Sequence, residues 1–211
     1  MGRAPGFCGV ILAAGESSRM GSDKALLAWP PTAPGSSASP GQTFLSAAIR
    51  SLAFSTDLVL VVVGENEAAL APAIYAEGAF LVRNPEPKRG QFSSLQVGLR
   101  EVLNRGRDAA VITLVDRPPA NLRTVEKLHD AFAAAAGLGK WAVVPEFEGK
   151  HGHPLVVGRE MIEAFLTAPA TATARDIEHR YQAKIEYVAV DDPLVAVNVN
   201  TPEDYAALRG R

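Results

Sequence analysis

Two apolar runs, DLVLVVVG at 57–64 and AAVITLVD at 109–116, have no polar face. A strand with one wet side alternates polar and apolar residues, so runs this uniform belong to a sheet covered on both sides. Similar runs recur at 8–14, 79–84, 141–147, 154–158 and 184–191. Between them lie segments with helical spacing. Residues 43–54 gather Phe44, Leu45, Ala48, Ile49 and Leu52 on one face, and 66–77 continue the alternation. Leu95, Leu99, Val102 and Leu103 do the same over 94–105, and Leu122, Val125, Leu128 and Phe132 over 121–136. This alternation predicts a three-layer α/β domain around a mostly parallel sheet. Beyond about residue 141 the strands crowd together, which predicts a mixed sheet there.

A chain of 211 residues is read as a single domain, 1–211, at roughly 100–200 residues per domain. The net charge of −2 gives no basic field for nucleic acid or an anionic membrane, so the countercharge for any anionic ligand has to be local. No apolar stretch approaches the ~18–20 residues of a membrane span. FCGVILAA at 7–14 has the length of a secretory h-region but follows a weak n-region, and the chain reads as cytoplasmic. The single cysteine, Cys8, lies inside the first strand and reads as a buried free thiol. PPTAPGSSASPG at 30–41 carries no charge and reads as a flexible insert.

The stretch richest in chemistry is LAAGESSRMGSDKALL, residues 12–27. Parallel α/β sheets bind ligands beyond the carboxyl ends of their strands, and Gly15 stands at such an end. Glycines let backbone N–H groups approach an anion, and Ser17, Ser18 and Ser22 add hydroxyl donors. Arg19 supplies a planar fork and Lys24, expected exposed on this loop, a mobile point charge; together they describe a polyphosphate cradle. It is neither of two familiar ones. Five residues separate Gly15 from Gly21 and Lys24 comes three later, which breaks the P-loop pattern, and the dinucleotide G-x-G-x-x-G is absent after this strand. A nicotinamide-dependent oxidoreductase therefore has only the strand–helix alternation behind it.

Asp116 closes the run ITLVD and puts a carboxylate where a Mg²⁺ ligand is wanted. In NPEPKRGQFSSLQVGL (84–99), Ser93 and Gln96 have capping-box spacing, and Ser93 with Ser94 at a helix start could also hold a ribose, base or phosphate. Thr201 and Pro202 mark a last helix start, and of Asn198 and Asn200 just before it, one could offer an amide oxygen to a metal. His151 and His153 lack the companions a zinc site needs.

These residues resemble the MobA-like nucleotidyltransferases, which include the molybdenum-cofactor cytidylyl- and guanylyltransferases. The chain carries every position of LAAGxSxRMGxxK. NPEPKRGQFSSLQVGL, LVDRPP, GHPLVV and VNVNTPEDY follow in the family's order. The resemblance implies a Rossmann-like, glycosyltransferase-A-like nucleotidyltransferase fold. It also implies Mg²⁺-dependent transfer of a nucleoside monophosphate from an NTP to a phosphorylated acceptor, with release of pyrophosphate. By position, Gly15, Arg19 and Lys24 hold the triphosphate, with Arg19, Lys24 and Asp116 carrying catalysis. The backbone of Ala13 and Ala14, with Ser93 and Ser94, lines base and ribose, and Asp116 and Asn198 hold Mg²⁺. LAAG resembles the cytidylyltransferase branch, so CTP is favoured, with molybdopterin as acceptor and a molybdoenzyme or its chaperone as protein partner.

Three features depart from the pattern. The closing motif reads Asn-Val-Asn where Asp often opens it, an acceptor-side stretch keeps only Arg175 within ATATARDI (170–177), and the insert at 30–41 replaces a direct run into a helix. A GTP-using enzyme, a sugar-phosphate nucleotidyltransferase and a non-catalytic nucleotide- or cofactor-binding protein of the same fold are the alternatives.

Overall fold

The computed structural model describes residues 6–15, 23–31 and 42–209. Eight strands form one sheet: β1 (Phe7–Leu12), β2 (Leu58–Val63), β3 (Phe80–Arg83), β4 (Ala109–Leu114), β5 (Ala142–Phe147), β6 (Lys150–His151), β7 (Leu155–Gly158) and β8 (Ile185–Ala189). The order is β3-β2-β1-β4-β7-β5-β6, with β8 also paired to β5. Strands β1 to β4 are mutually parallel. β7 runs antiparallel to both β4 and β5, so β5 and its parallel partner β8 point the same way as β4. The mixed character predicted beyond residue 141 comes down to β7 and the short β6.

Among the described residues there are seven α-helices, α1 (Phe44–Ala53), α2 (Glu67–Ala76), α3 (Gln91–Asn104), α4 (Leu122–Ala136), α5 (Arg159–Thr167), α6 (Ala174–Arg180) and α7 (Pro202–Ala206), of which the first six cover the sheet. Alternate strand residues face opposite layers. Ile11, Val61, Val111 and Val143 pack with Leu45 and Ile49 of α1, Leu70 and Ile74 of α2, and Val125 and Leu128 of α4. Val10, Leu60, Val62 and Ile112 pack with Leu95 and Leu99 of α3, Met161 and Phe165 of α5, and Ile177 of α6. Both faces of the central strands are dry, as the uniform apolar runs require, and the three-layer α/β architecture follows.

Two helices were not readable as such from apolar periodicity. α5 starts directly after β7, and α6 is a short helix whose start is fixed by a capping box between Thr173 and Asp176. The start of α3 also differs from the sequence reading. Its cap is Gly90, held at φ 94°, a left-handed angle that suits glycine. Ser93 lies inside the first turn, and the Gln96 amide donates to the Phe165 carbonyl at 3.0 Å, so the pair forms no capping box.

Most of the insert expected to be flexible, from residue 32 to 41, lies outside the described residues. Its stems are joined. Ala28 and Thr43 form an antiparallel bridge, and the Trp29 N–H donates to the Gln42 carbonyl at 3.0 Å. Trp29, Phe44 and Tyr205 pack there, and the Tyr205 hydroxyl donates to the Ala28 carbonyl at 2.8 Å. Among the described residues no helix is long and apolar enough to cross a membrane.

Candidate active site

β1 and β4 are parallel neighbours in register from Phe7/Ala109 to Leu12/Leu114, so both release their chains at one edge of the sheet. A cleft of about 630 Å³ opens at that edge, lined by Ala14, Gly15, Lys24, Gly90, Ser94 and Asp116 among others. Lys24 begins a single 3-10 turn, Lys24–Leu26, capped by Asp23, whose Oδ1 accepts from the Ala25 N–H at 3.0 Å. The lysine is not the exposed loop residue that its sequence position suggested. Its side chain is 11% exposed, its Nζ stands 3.9 Å from Asp116 Oδ2, and it donates to Asn200 Oδ1 at 3.2 Å.

Asn200 is braced in turn. Its N–H and that of Thr201 both donate to Asp204 Oδ2, at 2.8 and 2.9 Å, in the capping box that starts α7. These backbone donors hold the Asp204 carboxyl below the usual carboxylate range. The Val199 N–H donates to the Asp116 carbonyl at 2.9 Å, which pins the closing segment to the end of β4. Across 198–200 the burial alternates exposed, buried, half-buried, so both asparagines point away from the core side that takes Val199. Asn198 is the exposed member and does not line the cleft, whereas Asn200 reaches inward to the lysine.

The other expected residues separate into two groups. Ala14 and Gly15 line the cleft. Ala13 does not: it is 1% exposed, its N–H donates to the Val62 carbonyl at 2.8 Å, and its carbonyl accepts from Asn66 Nδ2 at 2.9 Å. Its polar backbone groups are consumed by the fold, leaving Ala14 and Gly15 as the available backbone. Ser94 lines the cleft, while Ser93, about 100° further round the helix, faces a second hollow of about 320 Å³. The Asn84 amide joins them, donating to both hydroxyl oxygens at 2.9 Å while its Oδ1 accepts from the Glu86 N–H at 2.9 Å. Sequence reading took in Asn84 only as the start of the stretch NPEPKRGQFSSLQVGL and gave its side chain no role. Arg19, together with Ser17, Ser18, Gly21 and Ser22, lies outside the described residues.

Asp116 Oδ1 is buried with no hydrogen-bond partner among the described residues. Such an atom normally costs stability unless something positive meets it. No group of three His, Cys, Asp or Glu side chains suited to a metal exists among the described residues. A cation at Asp116 would need further ligands besides this carboxylate, as Mg²⁺ commonly takes from water and substrate phosphates.

Behind the cleft, the His153 Nδ1 lies 3.5 Å from the Ile112 carbonyl. Burial, and then the nearby Arg117 cation, push its pKa down from 6.5 to about 4. The folded state thus keeps the ring neutral where the unfolded chain already binds a proton. That contribution to stability is fully present above pH 6.5 and is lost as pH falls from 6.5 towards 4. The urea midpoint of the unmodified protein should drop between pH 7 and 4.5 by more than that of His153→Gln, a difference worth up to about 3 kcal/mol. Equal drops would remove His153 as the cause.

The fold has solved counterparts. Rv0371c from Mycobacterium tuberculosis H37Rv is 26% identical, with 98% of each chain covered and a TM-score of 0.76. A structure of Rv0371C in complex with manganese is 24% identical, covers 96% of this chain and 97% of that one, and gives a TM-score of 0.73. Molybdopterin-guanine dinucleotide biosynthesis protein A from Archaeoglobus fulgidus is 15% identical, over 95% and 96% of the two chains, with a TM-score of 0.66. No curated protein matches the chain in sequence. The model of the MobA-like NTP transferase domain matches residues 9–185, a span that contains the strand edge, Lys24 and Asp116. The chain belongs to the MobA-like NTP transferase family and is a nucleotidyltransferase.

Proposed function

We propose that this nucleotidyltransferase moves a nucleoside monophosphate from an NTP, CTP in preference, to a phosphorylated acceptor, molybdopterin foremost, with Mg²⁺ at Asp116. One observation carries the reading. A cation, Lys24, and a carboxylate, Asp116, with one buried oxygen that has no hydrogen-bond partner among the described residues, stand 3.9 Å apart over the ends of adjacent parallel strands. A triphosphate and its counter-ion need that pairing of charges in one cleft.

An acceptor phosphate oxygen attacks the α-phosphorus in line. A new O–P bond forms, the bond to the bridging oxygen breaks, and pyrophosphate leaves with the electron pair. Lys24 meets the negative charge that grows on the phosphoryl and leaving oxygens, and Arg19 is proposed to do the same from the loop. No side chain has to take a proton, because the acceptor phosphate is already an anion. Asp116 would be the charged protein ligand of a bound Mg²⁺, which would supply Lewis-acid charge to the same oxygens; Asn198, the neutral ligand expected from the sequence, is exposed and away from the cleft lining, so it is not given that role. Gly15 and the backbone of Ala14 offer close approach to the nucleotide, with Ser94 on the opposite wall.

The preference for CTP rests on Ala14, whose methyl group narrows the space beside the base. The acceptor is suggested by the activity named for the Archaeoglobus protein, and the divalent ion by the manganese complex. The reading includes a single domain in the cytoplasm, with a molybdoenzyme or chaperone receiving the product. It is tested by offering each of four NTPs, with Mg²⁺ or Mn²⁺, together with molybdopterin or a panel of sugar phosphates, and measuring pyrophosphate. CTP with molybdopterin should give the fastest release. Preference for a sugar phosphate overturns the acceptor, preference for GTP overturns the base, and tight NTP binding without pyrophosphate favours a non-catalytic binder.

A further inference from the structure

Asn66 occupies the cap position of α2, yet its side chain makes no capping bond to that helix. Its carboxamide is turned to three other places. Oδ1 accepts from the Gly64 N–H at 3.1 Å, where β2 ends. Nδ2 donates to the Ala13 carbonyl at 2.9 Å, where β1 ends, and to Asp23 Oδ2 at 2.8 Å. A carbonyl and a carboxylate only accept and an N–H only donates, so the amide has one possible orientation, with both its protons and its oxygen engaged. Asp23 is the residue at which the described chain resumes after Gly15, and it caps the turn that carries Lys24. Asn66 also borders the cleft.

We infer that Asn66 is a positioning residue for nucleotidyl transfer: it clips Asp23 to the ends of β1 and β2 and so sets Lys24 opposite Asp116. Helix capping, the ordinary use of an asparagine here, does not account for any of its three bonds. A bond to the ionised Asp23 is stronger than one between neutral groups, and it sits one residue from the cation it places. The inference rests on the transfer reading given above.

Exchanging donor and acceptor tests it. Asn66→Asp keeps the shape and the acceptor for Gly64, but sets a carboxylate against Asp23 and the Ala13 carbonyl. Asp23→Asn leaves the Ala25 N–H its acceptor and turns an amide donor towards the Asn66 amide donor. In the double variant the carboxamide at position 23 can donate to the carboxylate at position 66, which remakes their mutual bond and keeps the tie to Gly64 of β2, while the bond to the Ala13 carbonyl stays lost. Either single change should lower kcat for pyrophosphate release, on the order of 10²-fold for Asn66→Asp, while the thermal midpoint stays within a few degrees. The double variant should regain part of the loss and be clearly more active than Asn66→Asp alone, a non-additivity expected only of groups in contact. Losses that simply multiply overturn the inference.

Amide hydrogen exchange supplies a readout that does not need turnover. Exchange at the Ala25 N–H should quicken in each single variant and slow again in the double. Unchanged exchange in the single variants, or no recovery in the double, also overturns the clip. Absence of pyrophosphate from the unmodified protein with every acceptor would defeat the transfer reading alone, and the exchange data would still decide whether Asn66 holds Asp23.

Discussion

Lys24→Ala should lower kcat for pyrophosphate release by on the order of 10²–10³, or about 3–4 kcal/mol of transition-state stabilisation, with little change in fold. The expectation follows from where the ammonium is held. A flexible surface lysine is screened by water and contributes little to a reaction. This one is 11% exposed, tied to Asn200 and facing Asp116. Its orientation is settled before substrate arrives, so little reorganisation is needed as charge develops. Its loss should appear mainly in kcat, with a smaller rise in the KM for NTP, because the ground-state triphosphate retains its other partners. Steady-state kinetics on the purified variant, alongside a thermal unfolding curve, measure both quantities. Turnover within a few-fold of the unmodified protein would exclude Lys24 from the chemistry.

Asp116→Asn should be at least as damaging to activity while leaving stability level or raised. The amide keeps the shape and one oxygen but removes the charge that holds a hard cation. A loss on the order of 10³ in kcat corresponds to about 4 kcal/mol. Metal binding, followed by titration calorimetry with Mn²⁺, should weaken in parallel. The stability expectation has a separate origin. One oxygen of Asp116 is buried without a donor among the described residues, so the carboxylate is held at some cost to the folded state. Removing such functional strain commonly stabilises a protein by about 0.5–2 kcal/mol. A variant that binds metal normally, or that unfolds well below the unmodified protein, would show Asp116 to be a structural residue.

The sheet was legible because the central strands β1, β2 and β4 are buried almost throughout and read as apolar runs, and all seven apolar runs became strands. The eighth, β6, spans Lys150–His151 and has no pattern to detect. Helices α1, α2 and α4 also match their periodic segments to within a residue or so. Helix α3 was read three residues short because Ser93 and Gln96 imitate a capping box. Gln96 instead bonds to Phe165, 69 residues away, and no local pattern shows that. Helix α6 did carry a readable start in Thr173 and Asp176, obscured by its brevity.

At the site, the residues that line the cleft follow the glycines and the strand ends, which are local signals. The residues that hold them in place do not. Asn200 meets Lys24 across 176 positions of sequence, and Asn66 meets Asp23 across 43. Each of these amides sits in a segment that already has a bland explanation, a helix start. Only the tertiary fold reveals that their side chains are used elsewhere.

The bridge between Ala28 and Thr43 carries a meaning for how such a chain can diversify. Because the two strands of backbone are fastened to each other and to Tyr205 before the excursion begins, added length beyond that point need not disturb the lysine four residues upstream of Ala28. Doubling an excursion closed in this way costs only about 0.6 kcal/mol of chain entropy. Length can therefore be added or trimmed at this junction while the turn that carries Lys24 keeps its place.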